Sequence, residues 1–178
     1  IDSLGYLSRV PSLIITQHSI FVTESKLNSI ITIDNNLQYI NHFGQHGDGP
    51  NELNGISQIT ISDNRLFVFD DRHRRIAEFT VFGEFISSIP VINSYSGMYR
   101  FVVDHSHNIY ITSPDDITPI LKINKKGEVV DKLGQHHDFD KSQNFVRNFR
   151  HLLLNEQNQL ISVSVTEPIV EIIDLDNT

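Results

Sequence analysis

A repeating pattern of apolar segments constrains the fold of this sequence more than any other feature. Each copy begins with two apolar segments joined by a short turn rich in Asp, Asn, Ser, His or Gln, side chains that favour tight corners. A third apolar segment follows at nearly constant distance, and its anchoring isoleucines step by 46, 44 and 49 residues. These anchors are Ile30, Ile76, Ile120 and Ile169. The period predicts a β-propeller, in which one four-stranded antiparallel blade takes about 40 to 50 residues.

A fourth apolar segment completes each of the first three copies after another tight turn. Gly83 and Gly127 stand where a two-residue hairpin requires a positive φ, and we place Asn36 at this position in the first copy. The fold class predicted is therefore all-β: one propeller domain, or a partial propeller, over residues 1–178 with about four blades. The blades are expected at approximately residues 11–44, 56–90, 100–134 and 150–178.

Composition restricts the partners of such a domain. The formal net charge of −8 argues against nucleic acid, because affinity for nucleic acid comes largely from Lys and Arg neutralising phosphates. No apolar run approaches the roughly 18 to 20 residues that would cross a bilayer, so no transmembrane segment is predicted. The absence of cysteine excludes disulfides, thiolate metal sites and thiol nucleophiles.

The stretch FGQHGDGPNEL (43–53) and the two strands expected after it carry a family pattern. Their order of glycines, proline, V-x-D, R-I and a turn glycine resembles an NHL repeat. The residues that match this pattern or lie close to it are Gly47, Gly49, Pro50, Asp70, Arg75, Ile76, Phe79, Gly83 and Phe85. The chain is also similar in style to TolB-like six-bladed propellers of Bacteroidetes surface and periplasmic lipoproteins. That resemblance implies an extracytoplasmic location and a ring of six blades, so it favours a fragment of a longer propeller over closure of four blades.

The glycine-rich stretch itself is interpreted as a corner between blades. It has neither the lysine nor the following helix that a phosphate-binding loop needs. The stretch LGQHHDFDKSQNF (133–145) occupies the same position between the third and fourth copies, which places His46 and His136 at equivalent corners. We therefore include both histidines among the candidate partner-binding residues. We predict no designed metal site. The weak candidates for metal binding are His136, His137, Asp138 and Asp140.

The densest charge cluster lies between two strands of the second copy. We expect Asp70 to pair with Arg75 across the bend, which leaves Arg72 and Arg74 exposed to recognise an anionic or peptide partner. Tyr95 and Tyr99 lie in the next connection between blades, where an exposed aromatic side chain would be a contact hot spot.

The leading functional hypothesis is a non-catalytic binding module without a cofactor. Its loops between blades, at 44–56, 91–100 and 134–150, would present a surface to a protein, peptide or glycan. The alternative is a metal-dependent propeller hydrolase or lyase completed by residues outside this chain, and a purely structural spacer is the third reading. No G-x-S-x-G string indicates a serine hydrolase. Unpaired edges of an open propeller would favour self-association.

Overall fold

The computed structural model describes residue 7, residues 9–91, 100–113 and 118–135, residue 137 and residues 147–177. These residues form fifteen strands and one short 3₁₀ turn, η1 (Leu175–Asn177). Blade 1 contains β1 (Leu13–Ile15), β2 (Ser19–Glu24), β3 (Ser29–Asp34) and β4 (Tyr39–Phe43). Blade 2 contains β5 (Ile56–Ser62), β6 (Arg65–Asp70), β7 (Arg75–Thr80) and β8 (Phe85–Pro90). Blade 3 contains β9 (Phe101–Val103), β10 (Ile109–Thr112), β11 (Ile120–Ile123) and β12 (Val129–Leu133). Blade 4 contains β13 (Arg150–Leu154), β14 (Gln159–Ser164) and β15 (Val170–Asp174).

Each blade is an antiparallel meander, with every strand paired to the next strand along the chain. The prediction of an all-β propeller with about four blades is thereby confirmed, although the fourth sheet has three strands in the described residues. Backbone contacts divide the chain into two compact units, Ile1–Gly97 and Met98–Thr178. The first unit holds blades 1 and 2, and the second holds blades 3 and 4.

Alternation along the strands gives every blade two faces. We call face A the side of the sheet that carries the anchor of the third segment, and face B the opposite side. The face A anchors are Ile30, Ile76, Ile120 and Val170, and the strand residues Ile20, Leu66, Ile109 and Leu160 lie on face B.

In both units, face A of one blade packs against face B of the next blade. In the first unit, Phe21 and Ile30 from face A of blade 1 join one core with Leu66, Val68 and Phe79 from face B of blade 2. The rings of Phe43 and Phe79 lie 5.6 Å apart across this contact. In the second unit, face A of blade 3 meets face B of blade 4. The side chains of that core include Val102, Tyr110, Ile120, Leu133, Leu152, Leu154, Leu160 and Ile173. Each large side chain buried in this way contributes about 1.5–3 kcal/mol.

The fourth anchor differs from the sequence prediction by one residue. Val170, and not Ile169, pairs with the preceding strand at Val163 and lies four residues before the turn residue Asp174, as the other anchors do in their blades. Two adjacent β-branched residues made the register ambiguous in the sequence, and a shift of one residue exchanges the two faces of a strand.

The turn before each fourth strand also differs from the prediction. Three residues separate Thr80 from Glu84, and a register shift follows, so the hairpin is a turn with a bulge and not a two-residue loop. Leu37, with φ of 62°, occupies the place of Gly83 in blade 1, and Asn36 does not. The Asp34 carboxylate accepts the backbone N–H groups of residues 36 and 38 at 2.9 and 2.8 Å, which holds this turn without glycine.

Replacement of Gly83 by alanine tests the contact between blades 1 and 2. A Cβ atom on Gly83 would lie 2.5 Å from Cγ of Phe43, and φ at this residue is 93°. We expect Gly83→Ala to lower the free energy of unfolding by about 1–3 kcal/mol, measured by urea denaturation. Gly127→Ala, at the same turn position with φ of 78°, is the control for the backbone cost alone. Equal losses in the two variants would contradict a role for the Phe43 ring.

Candidate functional site

An ion pair between Asp70 and Arg75 holds the loop that joins blades 1 and 2. The Arg75 Nε atom lies 3.1 Å from Asp70 Oδ2, and the Asp70 side chain is completely buried. The other carboxylate oxygen of Asp70 accepts the backbone N–H of Asn54 at 3.0 Å. Arg75 also donates from Nη2 to the backbone oxygens of Gly49 and Glu52. The predicted pairing of Asp70 with Arg75 is confirmed, and both partners also form hydrogen bonds with the backbone of loop 44–56.

Blade 1 holds the same loop from the other side. The Asn28 Oδ1 atom accepts the backbone N–H of Gly55 at 2.6 Å, and Asn28 Nδ2 lies 3.2 Å from Nδ1 of His46. Leu53 is fully buried in the core between blades 1 and 2. The loop is therefore fixed by polar contacts at both ends and by one apolar anchor.

The glycines of the loop surround an internal carboxylate. Glu52 Oε2 accepts the backbone N–H of Gly49 at 2.7 Å, and Oε1 accepts Gln45 Nε2 at 2.8 Å. A Cβ atom on Gly47 would lie 2.1 Å from Glu52 Oε2, so a side chain there would displace the Glu52 carboxylate from its present position. The hydrogen bond from Gly49 is the main cause of a lowered pKa of Glu52. The loop thus uses its backbone donors on its own side chain, as expected for a corner between blades.

His73 connects the buried carboxylate of this cluster to an exposed one. Its Nδ1 atom lies 2.6 Å from Asp70 Oδ2, and its Nε2 atom lies 3.0 Å from Asp48 Oδ1. The Asp48 side chain is 90% exposed, whereas that of His73 is 20% exposed. The hydrogen bonds to Asp48 and Asp70 raise the pKa of His73, against smaller opposing effects of burial and of Arg75. The hydrogen bond with His73 in turn lowers the pKa of Asp48.

This geometry does not leave His73 a free nitrogen to act as a general base. Both ring nitrogens already have carboxylate partners, and a protonated ring donates to both. The sequence analysis gave no role to His73, although this residue lies within the charge cluster between Asp70 and Arg75. The spacing of three residues between Asp70 and His73, across a tight turn, is the signal that could have indicated the contact.

Asp71 faces away from the ion pair. Its Oδ1 atom accepts the hydroxyl of Ser57 at 3.0 Å. Burial raises the pKa of Asp71, although the hydrogen bond from Ser57 acts in the opposite direction. Asp70 accepts from the Asn54 N–H and Asp71 from the Ser57 hydroxyl, so the two adjacent aspartates have separate partners.

The structure describes four of the side chains singled out in the sequence. Arg72, Arg74 and His46 are exposed, and His137 is half-buried. The backbone N–H of His137 donates to Asn148 Oδ1 at 3.2 Å, and its carbonyl oxygen accepts Asn148 Nδ2 at 2.9 Å. Outside the described residues lie Tyr95, Tyr99, His136, Asp138 and Asp140.

Within the described residues, no three His, Asp or Glu side chains converge as metal ligands would. The same residues contain no helix with the length and apolar character needed to cross a bilayer.

Blade 4 contains a buried charge that the sequence analysis did not identify. The Arg150 side chain is fully buried, and its Nη1 atom donates to the backbone oxygen of Arg147 at 2.9 Å. Its Nε atom lies 3.9 Å from Glu171 Oε2, too far for a hydrogen bond. Burial lowers the pKa of Arg150, and the charge of Glu171 opposes this effect. Solvent does not reach this guanidinium group, so we assign it a structural role.

No family model and no curated protein sequence matches this chain. Solved structures of similar fold do match it. A candidate exported protein from Bacteroides fragilis has a TM-score of 0.74 at 12% identity, over 96% of this chain and 51% of that one. Virginiamycin B lyase from Staphylococcus aureus has a TM-score of 0.63 at 14% identity, over 97% of this chain and 54% of that one. The computationally designed Ika4 protein has a TM-score of 0.60 at 10% identity, over 95% of this chain and 92% of that one.

These similarities support the propeller fold alone, because all three identities are low. The chain spans about half the length of the first two structures. Membership of the NHL or TolB-like families and a ring of six blades remain predictions from the sequence.

The raised pKa of His73 predicts a pH-dependent contribution to stability. Since the pKa is higher in the folded state, the contribution is fully present below the unfolded value of about 6.5. This contribution to stability is lost as the pH rises through the pKa of His73 in the folded state. The difference in free energy of unfolding between the wild type and His73→Gln should therefore be larger at about pH 5.5 than at about pH 8.5. His18→Gln, at an exposed turn of blade 1, is the matched control. A difference that grows toward high pH would contradict the assignment.

Removal of the Asp70 charge tests whether the ion pair holds the loop. We expect Asp70→Asn to lower the free energy of unfolding by about 2–4 kcal/mol, because Arg75 keeps a poorly paired and mostly buried charge. Urea denaturation measures this loss, and hydrogen exchange should show faster exchange of the Asn54 and Leu53 amides. Asp48→Asn removes the exposed member of the same cluster and should cost much less. Equal losses of unfolding free energy in Asp70→Asn and Asp48→Asn would mean that the burial of Asp70 does not cause the destabilisation.

Proposed function

We propose that this chain is a single propeller domain that acts as a non-catalytic binding module for a protein, peptide or glycan with acidic groups. The binding surface would be formed by loops between blades and by the turn 71–74 that lies against loop 44–56. The observation that carries this proposal is the pair of exposed arginines, Arg72 and Arg74, on a turn whose backbone is held in place.

The turn 71–74 is preorganised by hydrogen bonds of its backbone. The N–H of Arg72 donates to the carbonyl of Asn54 at 3.1 Å, and the N–H of Arg74 donates to the carbonyl of Asp71 at 3.3 Å. Arg74 adopts a φ of 50°, which directs the chain into β7. A fixed turn reduces the entropy that a partner must overcome on binding.

The two arginine side chains are available for such a partner. Arg75 of the same cluster is paired with Asp70, but the guanidinium groups of Arg72 and Arg74 make no ion pair or hydrogen bond with any described residue. A guanidinium group presents a planar fork of donors that matches a carboxylate or sulfate. His73 lies between them in the sequence, and its pKa is raised by its hydrogen bonds to Asp48 and Asp70.

We also infer an extracytoplasmic location. The resemblance to propeller lipoproteins supports it, and one protein of similar fold is a candidate exported protein. The hydrolase or lyase alternative has less support. A lyase is among the proteins of similar fold, but the described residues bring no set of metal ligands together, and His73 has no free ring nitrogen.

Arrays of acidic peptides and of sulfated or uronic-acid glycans provide the test of this proposal. We expect the wild type to bind a subset of the acidic probes. The double variant Arg72→Ala, Arg74→Ala should weaken that binding at least about tenfold, since each charge-assisted hydrogen bond contributes about 1.5–3 kcal/mol. Tyr95→Ala, Tyr99→Ala tests the sequence prediction for the connection 91–100 in the same assay.

The matched control is Lys125→Ala, Lys126→Ala. It removes two exposed positive charges from a turn of blade 3, so it leaves net charge equal to that of the arginine variant. Equal losses in both variants would indicate unspecific electrostatic attraction. Binding unchanged by the arginine substitutions would show that this surface is not the site.

A further inference from the structure

A single imidazole ring joins the turn 71–74 both to loop 44–56 and to the buried ion pair. The His73 Nδ1 atom lies 2.6 Å from Asp70 Oδ2, and its Nε2 atom lies 3.0 Å from Asp48 Oδ1. A carboxylate only accepts hydrogen bonds, so each of these contacts needs a proton on the ring nitrogen. Both contacts can therefore form together only when the ring carries two protons and a positive charge.

Burial determines which of the two contacts remains when the ring is neutral. A neutral imidazole has one N–H, and it can donate to only one of the two carboxylates. The Asp70 side chain is 0% exposed, whereas that of Asp48 is 90% exposed. Water can therefore replace the hydrogen bond of Asp48 but not that of Asp70. The neutral ring keeps its proton on Nδ1, and the lone pair of Nε2 then faces a second acceptor, the Asp48 carboxylate.

The charged and titratable groups around the ring come from loop 44–56, from the end of β6 with the turn that follows it, and from β7. They are His46, Asp48, Glu52, Asp70, Asp71 and Arg75. Arg75 opposes protonation of His73, but the hydrogen bonds to Asp48 and Asp70 have the larger effect and raise the pKa of the ring. The second proton therefore leaves at a pH above the ordinary value of about 6.5.

We propose that the proton on His73 regulates the arginine surface of the turn 71–74, an inference that rests on the proposed function. The protonated ring holds the Asp48 side chain against the turn and places one more positive charge between Arg72 and Arg74. Loss of the proton removes this charge and releases the Asp48 carboxylate. The affinity for an acidic partner therefore falls as the pH rises through the titration of His73.

The charge of His73 lies close enough to the two arginines to act on the same ligand group. His73 is the residue between them in a four-residue turn, and consecutive Cα atoms lie about 3.8 Å apart. The screening length at physiological salt is about 8 Å, so a carboxylate or sulfate bound by Arg72 or Arg74 interacts with the ring charge as well. One unit charge at such distances changes an affinity by about three- to tenfold.

Nuclear magnetic resonance titration of the full chain, without a ligand, tests the link between His73 and Asp48. Between about pH 5 and pH 9, the His73 ring and the Asp48 carboxylate carbon should change with one shared midpoint. Asp48→Asn should lower the pKa of His73, because an amide accepts and donates equally well and no longer favours the charged ring. His18, at an exposed turn of blade 1, is the reference in the same spectra.

Two results of this titration would overturn the proposal. One is a His73 ring with the same pKa in the wild type and in Asp48→Asn. The other is an Asp48 carboxylate that does not respond when the His73 ring titrates. Neither result depends on a ligand, so this experiment separates the link from the proposed function.

Binding of dextran sulfate at about pH 5.5 and pH 8.5 measures the consequence for the turn 71–74. The sulfates of this probe keep their charge at both values, so a change in affinity comes from the protein. We expect the affinity of the wild type to fall about three- to tenfold at the higher pH. His73→Gln should remove most of this dependence, whereas the matched control His18→Gln should retain it.

The outcomes of the binding experiment distinguish the regulation from the proposed function. A probe that binds through Arg72 and Arg74 with equal affinity at both pH values overturns the regulation and leaves the proposed function standing. A probe that binds at neither pH counts against the proposed function, while the titrations of His73 and Asp48 still decide whether a proton controls their contact.

Discussion

The buried ion pair between Asp70 and Arg75 organises the polar end of blade 2. A buried carboxylate is tolerated only when its charge is paired and its oxygens accept hydrogen bonds, and Asp70 meets both conditions through Arg75, Asn54 and His73. Arg75 meets its own requirement through carbonyl groups of loop 44–56. The pair therefore holds the path of loop 44–56 together with the loop's own backbone hydrogen bonds, from the Leu53 N–H to the Gln45 carbonyl and from the Glu52 N–H to the Gly49 carbonyl. The exposed turn 71–74 is joined to the same loop by the hydrogen bond from the Arg72 N–H to the Asn54 carbonyl.

Apolar packing between blades is the second constraint, and it determines which side chains of each strand must be apolar. A single sheet cannot bury its own apolar faces, so the stability of a blade depends on packing its face A or face B against another blade. The register of the hairpins decides which side chains reach each face, as the pairing of Thr23 with Ile30 and of Phe69 with Ile76 shows. The bulge after each third turn adjusts the fourth strand, which lets Phe43 meet Phe79.

The periodicity of the sequence was sufficient to predict the fold class, because the repeat is set by strand length and turn chemistry, which are local properties. The ion pair of Asp70 with Arg75 was predictable for the same reason, since the two residues flank one tight turn. The register at Val170 was not predictable, because Ile169 and Val170 are both β-branched and either could be the anchor. The positive φ of Leu37 was not predictable, because its neighbour Asn36 is of a type that adopts such a φ more readily. The contact of His73 with Asp48 joins residues 25 apart, and it required the folded path of the loop.

Residues in and beside the turn 71–74 have two different roles: some stabilise the turn, and others are exposed and could contact a partner. Asp70 and Arg75 flank the turn, are buried or nearly so, and neutralise each other, so they add stability without adding local charge. Arg72 and Arg74 lie between them in the sequence and are exposed to solvent. Because the tight turn reverses the chain direction, Asp70 and Arg75 can be buried beside each other while Arg72 and Arg74 are exposed. The exposed charges of Arg72 and Arg74 therefore lie on a turn whose two ends are held by the buried ion pair of Asp70 with Arg75.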